Sequence, residues 1–154
     1  MILILLLVPL LIVSSFGGGG GGAQQQQPIY GASIILKNEV AILPRLLDSL
    51  KPWITYYCVC DTGSTDDTVS YMMGWLKENN IEGHVYRDEW VSFGWNRNQC
   101  LQRINQVEGL THILLPDADF ELVVHNATSF RRDGPPFDVS MIRFFFPHTI
   151  ASIF

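Results

Sequence analysis

"YYCVCDTGSTDDTVSYMMGWL" (residues 56–76) joins a strand pattern, a turn and a helix pattern without a break. Residues 56–60 are aromatic, β-branched or cysteine, a composition typical of a buried strand. Gly63 permits a tight turn after the strand, and Asp66 or Asp67 is placed to cap the helix that follows. The predicted apolar face of that helix consists of Val69, Met72, Met73 and Leu76. A strand, a polar turn and an amphipathic helix in this order indicate an α/β protein.

Strand and helix patterns alternate on both sides of this stretch. Further short strands are predicted at residues 33–36, 84–86, 111–115 and 139–146. One helix, with Pro44 in its first turn, is predicted to bury Leu43, Leu46, Leu47 and Leu50. Another is predicted at residues 96–107, with Leu101 and Ile104 facing inward. The alternation predicts an α/β fold with a mainly parallel sheet flanked by helices.

Polar clusters directly follow three of the predicted strands. Lys37-Asn38-Glu39 follows the first strand, residues 61–66 follow the second, and Asp117-Ala118-Asp119 follows the fourth. Ligands of parallel α/β sheets bind at the carboxyl ends of the strands. We therefore expect these clusters to meet at one edge of the sheet and to form a binding site there.

The stretch ILLPDADFEL (residues 113–122) passes abruptly from an apolar strand into acidic residues. Asp117 and Asp119 are two positions apart, so in an extended turn their carboxylates point to the same side. Two like charges repel each other unless a cation or a hydrogen-bond donor lies between them. Carboxylate oxygens suit a hard divalent ion such as Mg²⁺ or Mn²⁺. The alternative is a solvated turn in which the acids cap local amides.

Asp61 and Arg97 are further candidates for ligand contacts. A carboxylate that ends a buried strand is costly without a partner, so Asp61 could accept hydrogen bonds from a nucleobase or a ribose. A capped strand-to-helix turn explains residues 63–68 but explains Asp61 less well. Arg97 lies in a region with few cations and could meet a phosphate or stack on a base. The alternative for Arg97 is a surface residue paired with an acid.

The composition of the chain narrows the classes of protein to consider. The 154 residues are 47% hydrophobic and 16% charged, which fits one folded domain and excludes a disordered acidic tail. Only 10 Lys and Arg stand against 15 Asp and Glu, which argues against a nucleic-acid partner. An anionic ligand such as a nucleotide would then need a metal ion to supply positive charge.

The three cysteines are interpreted as small buried hydrophobic residues. Cys58 and Cys60 alternate within a predicted strand and face the same side, where a bridge between them would be strained. No pair has Cys-x-x-Cys spacing, so the sequence predicts neither a zinc site nor a redox site.

The first 16 residues differ sharply from the rest of the chain. Residues 1–16 are almost continuously apolar and are predicted to be a signal peptide or a short signal anchor, through which the chain could associate with a membrane. The alternative is a strand of the core. Residues 17–27 are rich in Gly and Gln and are predicted to be a linker, so the folded domain is expected at 28–154.

The N-terminal segment also predicts where the protein resides. We expect the folded domain to be located in the secretory pathway or at the Golgi or ER membrane, with the luminal side favoured. The alternative is a cytosolic domain that the same segment anchors to the membrane. Asn126 begins a glycosylation sequon, which matters only in that pathway.

Four stretches taken together resemble family 2 glycosyltransferases with the GT-A fold. They are SIILKNEVAILPRLLDSLKPW, VCDTGSTDDT, FGWNRNQCL and ILLPDADFEL, and they come in the family's order at similar spacing. The resemblance covers residues 33–122, more than half of the chain. It implies a Rossmann-like nucleotide-sugar-binding fold and inverting transfer of a sugar from a UDP-sugar or GDP-sugar donor to an acceptor.

The resemblance implies a role for five residues around the nucleotide. Asp61 would contact the nucleobase. Arg97 and Asn98 would line the nucleotide pocket. Asn38 and Glu39 would lie at the rim of the donor pocket.

The acidic pair would bind the metal under the same resemblance. Asp119, together with Asp117 near the ribose, would hold Mn²⁺ or Mg²⁺ under the diphosphate. Such enzymes carry a further carboxylate downstream as general base on the acceptor hydroxyl. Here Asp133 and Asp138 are the only acids beyond Glu121, and neither is assigned as the base. The chain is therefore expected to be the donor-binding half of such an enzyme.

Two other functions are weighed against the transferase. A catalytically inactive fragment or pseudoenzyme could act as a nucleotide-binding or protein-interaction module, which the missing base and the apolar C-terminal residues favour. A sugar nucleotidyltransferase has a related sheet, but its Gly-rich, Arg-containing signature near the first strand is missing from this sequence.

Overall fold

The chain folds as alternating strands and helices, and a computed structural model describes residues 4–6, 27–124, 127–133, 139–141 and 151–153. The strands are β1 (Ile4–Leu6), β2 (Tyr30–Leu36), β3 (Ile54–Asp61), β4 (Glu82–Arg87), β5 (His112–Leu114), β6 (Leu122–Val124), β7 (Val139–Met141) and β8 (Ala151–Ile153). The helices are α1 (Leu43–Leu50), α2 (Thr68–Glu78), α3 (Phe93–Ile104) and α4 (Ala127–Asp133).

The central sheet has four parallel strands in the order β4-β3-β2-β5. The chain moves outward from β2 through β3 to β4, and then returns to place β5 on the other side of β2. The prediction of an α/β fold with a mainly parallel sheet is confirmed. The strand order reverses between β2 and β5, which is the point where open α/β sheets bind ligands.

Both faces of the sheet are covered, as β3 shows most clearly. Tyr57 and Cys58 are neighbours in the strand and point to opposite faces, yet both are buried. The Tyr57 ring meets Trp75 of α2 edge-on, with 5.5 Å between ring centroids. On the other face, Cys58 contacts Cys100 of α3. This two-sided packing explains why burial along β3 is continuous rather than alternating.

The helix α1 agrees with its prediction. Its four leucines, at 43, 46, 47 and 50, are all buried, and Pro44 lies in its first turn. Proline costs the helix little stability at this position, because the N–H group that it lacks would have no partner inside the helix.

The predicted apolar face of α2 is wrong at one residue. Met73 is 58% exposed, whereas Trp75 is buried together with Val69, Met72 and Leu76. At about 100° of rotation per residue, Val69, Met72 and Leu76 share an arc of about 60°. Trp75 lies about 60° beyond one edge of this arc, and Met73 lies about 40° beyond the opposite edge. The large Trp75 ring therefore turns the helix so that Met73 faces solvent.

The helix α3 begins three residues earlier than predicted, at Phe93. The cause is Ser92, whose Oγ accepts a hydrogen bond from the Trp95 N–H and so caps the first turn. The helix ends at Ile104 rather than at residue 107. Ile104 is buried as predicted, and Leu101 is half-buried.

The short strands near the two ends of the chain pair apart from the central sheet. The strand β1 pairs antiparallel with β7, and β6 pairs parallel with β8. The strand predicted at 139–146 is therefore present as β7 but lies outside the central sheet, and residues 142–146 lie outside the described residues.

Further predictions concern residues near the two ends of the chain. Asp133, one of the two acids considered as a general base, ends α4. Asp138 and Asn126 lie outside the described residues. No helix in the described part of the chain is long and apolar enough to cross a bilayer. The signal peptide, the linker and the secretory location stay predictions.

Candidate functional site

A cleft of about 410 Å³ lies at the carboxyl edge of the central sheet, where β2 and β5 diverge. Its walls come from the segments after β2, β3 and β5 and from the segment that leads into α3. The lining residues are Ile35, Leu36, Lys37, Glu39, Ile42, Thr62, Trp90, Phe93, Asp117, Ala118 and Asp119. The expectation that the polar clusters after these strands meet at one edge is thus confirmed.

Asn38 fixes the end of β2 against the loop after β3. Its backbone N–H donates to Ser64 Oγ at 2.9 Å, and its side-chain Oδ1 accepts from the Thr65 N–H at 2.7 Å. The Asn38 φ angle is +56°, a left-handed conformation that asparagine tolerates better than most residues. These bonds hold the two loops together, so the structure gives Asn38 a positioning role at the rim.

Asp61 is buried at the end of β3 and has local partners. Its carboxylate accepts hydrogen bonds from the Gly63 N–H at 3.2 Å and from the Ser64 N–H at 3.1 Å. Gly63 has a φ of +97°, which lets the backbone turn back so that these amides point at Asp61. The turn therefore accounts for the buried carboxylate. The contact of Asp61 with a nucleobase stays a prediction, and Asp61 is not among the residues that line the cleft.

Arg97 joins two strands across the switch point. It is only 7% exposed, so it is not the surface residue that its helical pattern allowed. Its Nη1 donates to the backbone carbonyl of Ser33 in β2 at 3.0 Å, and its Nη2 pairs with Asp117 Oδ1 after β5. Arg97 Nε is buried and has no hydrogen-bond partner among the residues that the structure describes. The guanidinium thus neutralises part of the charge that the acidic segment brings to the cleft.

Negative charge is nevertheless in excess in the cleft. Burial raises the pKa of Asp117, the Arg97 guanidinium opposes that effect, and the Asp119 charge adds to it. Burial also raises the pKa of Glu39, and the nearby charges of Asp119, Asp66 and Asp117 raise it further. Carboxyl groups with raised pKa values beside one another mark a place where a cation would be stabilising.

The donor set of the cleft fits a hard divalent ion. Asp119 is exposed, and its carboxylate has no hydrogen bond or ion pair among the described residues; Arg45 instead donates to its backbone carbonyl at 2.7 Å. Arg97 engages Oδ1 of Asp117, which leaves Oδ2 for another partner. The described acids of the cleft do not converge into a three-ligand cluster. A metal held by Asp119 and Asp117 would therefore complete its shell with water or with ligand oxygens.

Trp90 and Phe93 add an apolar wall that sequence reasoning missed. They are 52% and 39% exposed, respectively, although both are large and hydrophobic. Asn96, which is fully buried, shapes the loop that carries Trp90 and leads to Phe93. Its Oδ1 accepts from the Val91 and Ser92 N–H groups, and its Nδ2 donates to the Glu89 carbonyl. The signal available in the sequence was the close spacing of the aromatic residues Trp90, Phe93 and Trp95.

Asn98 does not join the other candidates. It is exposed, and it is not among the residues that line the cleft. The buried residues of α3 include Asn96, Arg97, Cys100 and Ile104. Asn98 lies on the opposite side of the helix, since each residue turns by about 100°. Its contact with a nucleotide stays a prediction that this arrangement does not favour.

Comparison of the chain with known protein families and with curated protein sequences finds no match.

Proposed function

We propose that the chain binds a nucleoside diphosphate sugar through a divalent metal and serves inverting sugar transfer, as a GT-A, Rossmann-like glycosyltransferase of the family 2 type. The observation that carries the proposal is the placement of Asp117 and Asp119. They follow β5 directly and line the cleft at the switch point of a parallel sheet. Nucleotides bind at this position in open α/β sheets.

The charge of the cleft favours a metal–diphosphate ligand over a bare anion. Glu39, Asp117 and Asp119 line the cleft, and Lys37 is the only cation among its described lining residues. A diphosphate alone would meet net repulsion there, whereas a diphosphate with Mn²⁺ or Mg²⁺ would meet oxygen ligands for the ion. The metal requirement thus follows from the side chains rather than from the resemblance alone.

The rest of the cleft suits the remaining parts of such a ligand. Trp90 and Phe93 offer exposed rings on which a nucleobase or the apolar face of a sugar can pack. Arg97, held by Ser33 and Asp117, keeps the acidic segment in place rather than reaching into open solvent. Lys37 can meet phosphate oxygens as a point charge.

In this account each residue has a definite task. Asp119 and Asp117 orient the ion, and Arg97 fixes Asp117 so that Oδ2 faces the cleft. A divalent ion bound there supplies charge neutralisation for the leaving diphosphate. Asn38 and Asp61 hold the two loops of the rim in one geometry, so that the donor pocket is formed before the ligand arrives.

The alternative is a binding module that keeps the donor site without turnover. One observation favours it. The described cleft contains three carboxylates: Asp117 and Asp119 are assigned to the metal, and Glu39 lies beside them at the rim of the donor pocket, so none is assigned as base for an acceptor hydroxyl. Such a protein would bind the metal and the nucleotide but release no product.

Incubation of the full chain with UDP-sugars and GDP-sugars in the presence of Mn²⁺ distinguishes the glycosyltransferase from the binding module. Chromatography would follow release of nucleoside diphosphate, with water as acceptor. The proposal expects release with one nucleotide class, lost on chelation and reduced at least tenfold in Asp119→Asn but not in the exposed control Asp48→Asn. Metal-dependent binding without release would establish the binding module, and neither binding nor release by a folded chain would overturn both.

A further inference from the structure

A second cluster of potential ligands lies away from the acidic cleft, in the core. The sulfur atoms of Cys58, Cys60 and Cys100 all lie within 4.8 Å of one another. Cys58 and Cys60 come from one face of β3, and Cys100 comes from the buried side of α3. Each residue is at most 1% exposed.

The three thiols already interact with one another and with nearby backbone. The Cys58 and Cys100 sulfurs are 3.7 Å apart, and none of the three is in a disulfide. The Cys100 thiol can donate to the carbonyls of Cys58 at 3.4 Å and of Ile34 at 3.5 Å. Because an S–H group is a weak hydrogen-bond donor, little stabilisation is lost when a metal ion replaces the thiol proton.

An arginine of α3 reaches the sulfur cluster. Arg103 donates from Nη1 to Cys60 Sγ at 3.1 Å. A charged donor at this distance stabilises a thiolate at Cys60, and the thiolate is the form that binds metal.

The spacing of the sulfurs matches three ligands around one ion. At a metal–sulfur distance of about 2.3 Å, three sulfurs in a plane with the metal lie roughly 4 Å apart. The cluster needs only small side-chain movements to reach that spacing. No fourth Cys, His or carboxylate joins these three among the described residues, whereas structural zinc sites close with four ligands.

We propose that Cys58, Cys60 and Cys100 form a three-coordinate site for monovalent copper. Thiolates are soft ligands that select Cu(I), and a trigonal Cu(I) complex needs no fourth ligand. A disulfide between Cys58 and Cys100 would leave Cys60 unused, whereas a metal uses all three sulfurs. This site is distinct from the acidic cleft, whose oxygen ligands suit hard ions.

The location predicts what the metal would do to the protein. Cys100 lies in the middle of α3, and the other two sulfurs lie in the central strand, so a bound ion would tie the helix to the sheet. Because the site is buried, the ion must enter by local opening of α3 or during folding. Copper should therefore bind slowly and raise the unfolding temperature of the chain.

Anaerobic titration of the full chain with Cu(I) against the chelator bicinchoninate tests the proposal. We expect one Cu(I) per chain and, by X-ray absorption, a first shell made only of sulfur. Cys100→Ser and Cys58→Ser should each weaken binding at least tenfold. Val59→Ala is the matched control, since Val59 is equally buried between the two cysteines but faces the other side of the sheet.

Several results would overturn the site. They are the absence of copper uptake by a folded chain with three free thiols, unchanged affinity in a folded Cys100→Ser variant, and a first shell that contains nitrogen or oxygen ligands. Circular dichroism checks that each variant folds. If the serine variants do not fold, the absorption spectrum of the unmodified chain still decides. None of these outcomes bears on nucleotide binding by the cleft.

Discussion

Arg97 and Asp117 form an ion pair that bridges α3 and the segment after β5, across the point where the strand order reverses. Their side chains are 8% and 23% exposed, so the pair is largely shielded from water. Arg97 also holds the Ser33 carbonyl of β2. A single side chain thus links the middle of β2 to the acidic segment that lines the cleft.

Removal of Arg97 should destabilise the fold because it leaves Asp117 as an unpaired, partly buried charge. We expect Arg97→Met to cost about 3 kcal/mol in the free energy of unfolding. Urea denaturation of Arg97→Met, Asp117→Asn and the double variant would give the coupling energy between the two residues. Asn98→Ala, on the exposed side of the same helix, should change stability by less than about 0.5 kcal/mol. A double variant whose loss equals the sum of the single losses would show that the pair contributes nothing.

Glu39 should make stability depend on pH. Its pKa is raised in the folded chain, so between its ordinary value of 4.5 and the raised value the native state holds more protons than the unfolded state. Stability should therefore fall as pH rises through that window. Glu39→Gln removes this loss and should be more stable than the unmodified chain at pH 7, by up to about 1 kcal/mol because the group is partly exposed.

Urea denaturation of Glu39→Gln between pH 3.5 and pH 7.5 checks this prediction. The difference from the unmodified chain should vanish at pH 3.5, where Glu39 is neutral in both states. Glu108→Gln, at an exposed position, is the control. A Glu39→Gln variant that is less stable at pH 7 would mean that the carboxylate makes a favourable contact in the folded chain.

Asp88 and Arg103 support the other side of α3. Arg103 binds both Asp88 oxygens, at 2.6 and 2.8 Å, and its guanidinium lies over the Tyr86 ring at 4.2 Å. The hydrogen bonds from Arg103 lower the pKa of Asp88 below its ordinary value of 3.8. The stability from this pair is therefore present above pH 3.8 and is lost as pH falls through the lowered value.

Asp88→Asn should lower the free energy of unfolding at pH 6 by about 2 kcal/mol, since charged, two-point hydrogen bonds are the stronger kind. The gap from the unmodified chain should narrow as the pH falls below 3.8. Chemical denaturation at pH 6 and at pH 3 measures both effects, with Asp48→Asn as an exposed control. An equal gap at the two pH values would contradict the ionic origin of the loss.

Trp90 should contribute to binding of the nucleotide sugar. Stacking of a base on an aromatic ring is worth about 1–3 kcal/mol, so Trp90→Ala should weaken Mn²⁺-dependent binding about tenfold. Trp95 is similarly exposed, at 44%, but does not line the cleft. Trp95→Ala therefore serves as the matched control in a calorimetric titration. Equal losses in the two variants would show that the cleft is not the binding site.

Local sequence patterns predicted the elements of the fold well and the site in part. The spacing of Leu43, Leu46, Leu47 and Leu50 predicted α1 because helix burial depends on positions only a turn apart. The polar ends of β2, β3 and β5 predicted the cleft because parallel strands place their carboxyl ends together. The acidic pair does line the cleft, and Arg97 pairs with one of its members, Asp117.

What the sequence did not predict depends on contacts between distant residues. The cysteine cluster needs Cys100, 40 residues beyond Cys60, and its position follows only from the packing of α3 on the sheet. The role of Asp61 follows from amides that Gly63 turns toward it. Met73 and Asn98 face outward because larger or buried neighbours set the rotation of their helices.

The central claim is that the acidic pair holds a metal for a nucleoside diphosphate. The most direct measurement is calorimetric titration of the full chain with UDP and with GDP, each with and without Mn²⁺, for the unmodified chain and for Asp119→Asn. We predict binding of one of the two nucleotides only when Mn²⁺ is present, and at least a tenfold loss of that binding in Asp119→Asn. Binding that is equally tight without metal, or that is unchanged in Asp119→Asn, would contradict the account.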